Sequence, residues 1–426
     1  MTAPMRTSHS WPAEPGPGRR ALLGSGVGAT LAGGAAVANA AAPRAASSDD
    51  GESPAGAGRG DDGAEVMPFF GPRQAGVATP PPAHTRWVAL DLAKGASLDD
   101  LRRILRIWTE DMGRLTQGRP MLADHAPELS QDPRFLTVSV ALGRSAFERV
   151  GRDDLAPAWL GDLPPFATDA LQDRWSGGDI VLQIGSQSPT TCAHAHRSLV
   201  TGAGAAVRPR WVQAGYRRPS ERPRWTAERN AMGQVDGTVQ PVLDGPDDHL
   251  IWRGAEDGIW SGASTLVLRR IAMNLDTWES LDPAAKENAI GRRLSDGAPL
   301  TGGGEHTPPD LTATTGSGLP VIDPGSHMRR AMPRAAHERF LRRPYSYEET
   351  HDLSGGPLEA KDTHRSPHGL LFAAYCADAE RQFVPVQRRL AEQDLLNIWT
   401  RAVGSCVAAV LPGVEPGEHL GESVLA

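Results

Sequence analysis

Between Trp87 and Gln213, four short apolar runs alternate with two helical patterns, and few architectures accept that order. Trp87 to Leu92 is bounded by turn residues and reads as a strand. Ser97, with Asp100 three residues on, is a capping signature. Leu98, Leu101, Leu105, Trp108, Met112 and Leu115 then recur at three- and four-residue spacing, one face of a helix. Phe135 to Leu142 and Asp179 to Ile184 are two further strands. Ser188 opens a second helix with Pro189 at its first position, where a missing N–H costs nothing, and this helix runs to about Val200. Val207 to Gln213 completes a β-α-β-β-α-β set, the split arrangement of a ferredoxin-like unit.

The pattern returns downstream. Leu266 to Ile271 reads as a strand, and Asp276 with Glu279 as a capping box for a helix towards Ile290. A polar, Gly/Pro-rich stretch over 298–324 interrupts it, long enough to mark a functional or mobile loop. Leu370 to Cys376 is another strand, followed by helical segments between Phe383 and Val403 with Asp394 as a candidate cap. The expectation is an α+β protein of two ferredoxin-like units packed together, spanning 67–232 and 233–426, with Asp236 near their junction. A chain of 426 residues is long enough for two domains.

Ahead of these units, Arg19-Arg20 precedes a Gly/Ala-rich apolar run to Ala36, and Ala38-Asn39-Ala40 offers a small-residue cleavage site. The run is too short and too weakly apolar for a spanning helix, so stable membrane insertion is not expected. Paired arginines before a weak apolar core look like a twin-arginine export signal over 1–40, which predicts a periplasmic, extracellular or envelope location. Residues 41–66 are small, polar and acidic and read as a disordered spacer. The net charge of −7 gives no reason to expect a nucleic-acid partner. Cys192, Cys376 and Cys406 lack metal-ligand spacing and read as buried thiols.

Three segments carry the chemistry. Gly233-Gln234-Val235-Asp236-Gly237-Thr238 is a glycine-bracketed turn that can aim one carboxylate. Ser326-His327-Met328-Arg329 follows, then Phe340-Leu341-Arg342-Arg343-Pro344-Tyr345, with 342 − 327 = 15 positions between the imidazole and the guanidinium. With these segments, and an opening stretch from Phe70 to Pro80, the sequence resembles the dye-decolourising peroxidase family from about Met67 onward. The resemblance implies a haem peroxidase that uses hydrogen peroxide to oxidise organic donors such as phenols and dyes. It implies one haem b per chain, bound through His327 as the axial iron ligand, with Asp236 and Arg342 on the open face and Gly233 and Gly237 shaping the cofactor side. A twin-arginine route carries folded proteins, so the haem can be inserted before export. Oligomeric state is left open, a homo-oligomer included.

The residue types suit that chemistry. A neutral imidazole supports high-valent iron. A carboxylate can shuttle a proton between peroxide oxygens, and a guanidinium places fixed donors where negative charge develops. His337, followed by Glu338, is the nearest rival ligand, and Arg343 a one-residue alternative to Arg342. The family pattern is departed from at Arg73, where His is usual, at Pro344, where Gly is usual, and at Pro367-His368, where an acid often precedes the Gly369-Leu370-Leu371-Phe372 strand. That last departure leaves the acceptor for the ligand imidazole open among Asp378, Glu380 and a backbone carbonyl. His364 and His368 are four apart, but Pro367 argues against a helical metal pair, and Gly302-Gly303-Gly304 lacks the Lys of a phosphate loop. A deferrochelatase that releases iron from haem is the alternative with the same fold, and a haem carrier without turnover is the second. The Asp236 turn argues against the related chlorite dismutases.

Overall fold

A computed structural model describes residues 58–59, 65–349 and 367–426. The predicted export signal, most of the spacer and His364 lie outside these residues. Pairing starts earlier than expected from the spacer's composition. β1 (Gly58–Arg59) runs antiparallel to β2 (Glu65–Val66), and the carbonyl of Glu65 accepts the Phe135 N–H at 2.6 Å.

The first β-α-β-β-α-β set then follows the sequence pattern. Its members are β3 (His84–Leu92), α1 (Leu98–Leu115), β4 (Thr137–Leu142) with a short α2 (Arg144–Arg149), β5 (Ile180–Ser186), α3 (Pro189–Ala203) and β6 (Val207–Tyr216). The capping box is closed on both sides: Ser97 Oγ accepts the Asp100 N–H and Asp100 Oδ2 accepts the Ser97 N–H. Ser188 Oγ caps α3 through the Thr191 N–H. The four long strands lie in the antiparallel order β6-β3-β5-β4.

The second half opens with a hairpin of β7 (Glu228–Arg229) and β8 (Val235–Asp236). β9 (Ser264–Met273), α4 (Leu275–Glu279), α5 (Pro283–Ile290) and α6 (His327–Ala331) come next. β10 (Leu341–Arg342), β11 (Tyr345–Glu348), β12 (His368–Cys376), α7 (Ala379–Gln393) and β13 (Thr400–Val410) complete it. Its order, β11-β12-β9-β13, repeats that of the first half.

Two expectations need correction here. The single helix begun by an Asp276–Glu279 box is two helices: Asn274 caps α4 through the Thr277 N–H, and Asp282 caps α5 through the Ala285 N–H, with Pro283 breaking the chain between them. The helical reading up to Val403 also fails beyond Ile398. Thr400–Val410 is a strand because β9 pairs with it along ten residues, from Met273 opposite Thr400 to Ser264 opposite Val410, with a register shift between Ala402 and Gly404.

Eight strands close on themselves in the sequence β3-β5-β4-β13-β9-β12-β11-β6 and back to β3. The seams between halves are narrow: Leu142 and Ala141 pair with Ala409 and Val410, and Tyr216 with Ser346. Because side chains alternate along a strand, β9 sends Leu266, Leu268 and Arg270 into the ring and Arg269, Ile271 and Met273 outward. The ring interior is filled, by Trp87, Trp211, Tyr345, Tyr347 and Tyr375 among others. Arg270 lies there between the Trp175 and Tyr347 rings, 4.1 and 4.2 Å from their centroids, and is paired with Glu349 at 2.7 Å. Among the described residues, no helix is long and apolar enough to cross a membrane.

Candidate active site

Asp236 ends the β7–β8 hairpin. Its turn is held by Asn230, whose Oδ1 accepts the N–H groups of Met232 and Gln234 at 3.0 and 3.2 Å. Gly233 and Gly237 have φ of +82° and +99°, which an L side chain rarely adopts. Both glycines shape the turn, and neither is part of the cavity wall described below.

Arg342 is brought to Asp236 by β10. Its Nη1 lies 3.6 Å from Asp236 Oδ1, and its Nη2 donates to the Val239 carbonyl at 2.8 Å. Pro344 does not disturb this segment, because Arg342 stays in register with Ala374 and the Arg343 N–H donates to Ala373 O at 2.8 Å. The rival Arg343 points elsewhere: it is fully buried, donates to the carbonyls of Val77 and Thr79, and stacks over Trp225. Arg73, at the other departure, pairs with Asp248 at 2.8 Å and covers the Trp252 ring.

His327 is the first residue of α6, and its Nδ1 lies 2.6 Å from Asp394 Oδ2. Asp394 closes α7 and also accepts the Leu396 N–H through its other oxygen at 2.9 Å. The acceptor is therefore neither Asp378, which caps α7 through the Arg381 N–H, nor the exposed Glu380. Sequence reading found Asp394 only as a cap. Its second role depends on a contact across 67 positions that no local pattern encodes. The rival His337 sits exposed on a 3₁₀ turn, Ala336–Glu338, away from the cavity.

His327, Asp236 and Arg342 all line one cavity of about 860 Å³, part of it open to solvent. Its floor is the outward face of the second sheet, including Ile271, Met273, Leu370 and Phe372, and α7 and the Asp394–Asn397 segment wall it. About 35% of the His327 side chain is accessible, and that exposure is to this hollow. Burial disfavours the imidazolium, but the Asp394 carboxylate outweighs it and raises the His327 pKa above the usual histidine value. Asp236 adds to this, and Arg342 opposes it. Arg269, also in the wall, is paired with Asp169 and with Ser405 Oγ, and its burial lowers its pKa.

The comparisons agree with this geometry. The Dyp-type peroxidase N-terminal model matches residues 74–217 and the Dyp-type peroxidase C-terminal model residues 227–415. The dye-decolorizing peroxidase of Thermobifida fusca (strain YX) is 37% identical over 430 residues, covering 96% of this chain and 97% of that one. The chain belongs to the Dyp-type peroxidase family. A solved DyP-type peroxidase from Cellulomonas bogoriensis is 47% identical with a TM-score of 0.79, covering 84% of this chain and 98% of that one. Ferric DtpA from Streptomyces lividans is 38% identical with a TM-score of 0.79, covering 85% and 97%. A deferrochelatase of Yersinia pestis is 30% identical over 430 residues, covering 96% and 94%. Dyp-type peroxidases are haem enzymes, and this member is a haem peroxidase with the two-unit α+β fold of the family.

The cavity residues of this Dyp-type peroxidase fit the cofactor. With Nδ1 committed to Asp394, Nε2 would be the nitrogen available to an iron, the arrangement usual for a metal-bound imidazole. Gln234 Nε2, buried in the wall, has no protein acceptor and is free to meet a polar edge of a bound group.

Proposed function

We propose that this Dyp-type peroxidase binds one haem b through His327 Nε2 and that Asp236 and Arg342 carry the reaction with hydrogen peroxide. The single observation behind this reading is the shared cavity. An imidazole backed by a carboxylate at 2.6 Å enters from α6, while a carboxylate and a guanidinium 3.6 Å apart enter from β8 and β10. Haem, when bound, supplies the redox-active iron.

The protein's share is to move one proton and to stabilise charge. Asp236 takes a proton from one peroxide oxygen and returns it to the other, which leaves as water. The Arg342 guanidinium, always charged, offers N–H donors to the oxygen that gains negative charge as the O–O bond breaks. Its 2.8 Å bond to the Val239 carbonyl holds it ready without reorganisation. The Asp394 carboxylate orients His327 and makes it a stronger donor. Two one-electron oxidations of phenols or dyes return the enzyme to rest.

The test is the visible spectrum of protein purified with ample haem, before and after one equivalent of peroxide. A haem band that changes at once supports the reading, and a colourless folded protein ends it. The deferrochelatase relatives motivate a second reading, iron release, which the appearance of metal-free porphyrin on incubation with haem would establish. The carrier reading is set aside because a carrier needs His327 and not the Asp236–Arg342 pair. Export by the twin-arginine machinery belongs to the same proposal and rests on Arg19-Arg20 and the weak apolar run after them.

A further inference from the structure

Gln240 lies four residues beyond Asp236, in the loop whose Val239 carbonyl receives the Arg342 guanidinium. Its side chain makes two bonds to one partner: Nε2 donates to the Arg342 carbonyl at 2.7 Å and Oε1 accepts the Arg342 N–H at 3.0 Å. A primary amide is a donor and an acceptor side by side, the pattern that a neighbouring strand would present.

The need for it comes from the sheet. β10 is two residues long and pairs on one side only, with β12. The Arg342 N–H and C=O face away from that pairing and would be left to water at an edge. Gln240 stands in for the missing strand across 102 positions of sequence. The loop from Asp236 to Gln240 thereby holds Arg342 at both ends, the backbone through Gln240 and the guanidinium through Val239 and Asp236.

We infer that Gln240 is a positioning residue that fixes the aim of Arg342 towards the peroxide site. This rests on the role proposed above for Arg342. It also bears on Pro344 beside the site: Arg342, two residues before the proline, is held from the side by Gln240 and not by the turn alone.

Gln240→Met tests it, since methionine keeps the length and removes both bonds. Three readouts are taken on full-length protein. The reaction with one equivalent of peroxide should slow about tenfold, as misplacing a catalytic group by a fraction of an ångström does, with the bound-haem spectrum unchanged. Exchange of the Arg342 amide hydrogen in the as-purified protein should speed up about tenfold as its acceptor is lost. In an Arg342→Leu background, Gln240→Met should slow the peroxide step no further, because the two act as one unit.

Wild-type rate and exchange in Gln240→Met would overturn the inference. So would an equal loss of rate with and without Arg342, which would make Gln240 a general structural residue. A wild-type protein that takes up haem but ignores peroxide would instead sink the proposed function, and amide exchange would still decide the clamp.

Discussion

Asp394 divides its two carboxylate oxygens between a structural bond and a chemical one. Oδ1 holds the Leu396 N–H and Oδ2 holds His327. An asparagine can keep the first bond but cannot offer the imidazole an anion. Asp394→Asn should therefore fold normally, bind haem roughly 10- to 100-fold more weakly in titration, and show a raised iron reduction potential. His327→Ala should lose the haem band outright, and a native spectrum in that variant would refute the ligand assignment. Asp236→Ala or Arg342→Leu should leave the band and slow the peroxide step by roughly 10²–10³ in stopped-flow mixing. At this scale the sequence told much. His327, Asp236 and Arg342 were legible from motif and order, whereas Asp394, Asn230 and Gln240 act through contacts far along the chain or through turn geometry. A cap signature at Asp394 and an Asn three residues before Gly233 were the only local hints.

Elements with their own hydrophobic period were readable, and those created by pairing were not. α1 shows its buried stripe of Leu101, Leu105, Trp108, Met112 and Leu115 in the sequence itself. β13 has small residues without alternation, and its ladder to β9, with a short pairing to β4 at its end, makes it a strand. β10 is too short to leave any pattern. Within α1, Asp111 is buried, and its pKa is pushed up to about 6. Burial raises it, Arg114 opposes, and Glu110 and Asp124 reinforce. The folded state therefore prefers this carboxyl protonated. Its contribution to stability is full below the usual carboxylate value of about 3.9 and is lost as the pH climbs from there to about 6. Asp111→Asn should raise stability at pH 7 by about 1–3 kcal/mol and add nothing at pH 3 in urea titrations. Equal shifts at both pH values would contradict the assignment.

For the whole molecule, ring closure makes the halves depend on each other. Trp87 and Trp211 from the first half and Tyr345, Tyr347 and Tyr375 from the second fill one interior, although the seams between the sheets are short. Residues 65–217 expressed alone should bind a dye that reports exposed apolar surface and melt without a sharp transition, while the full chain melts in one. Changing Arg19-Arg20 to Lys-Lys should retain the protein in the cytoplasm on fractionation, and unchanged export would argue for another route.

The repeat of strand order carries a design consequence. Each sheet has an outward face under helices. In the second half that face holds a hollow, and in the first it is packed solid with Leu101, Leu105, Trp108 and Phe147 against Val138, Leu182 and Ile184. The architecture thus contains a mould for a twin chamber, already cast but plugged with hydrocarbon. Carving out Trp108 and its neighbours would be the place to begin an artificial enzyme with two dissimilar cofactors on one polypeptide.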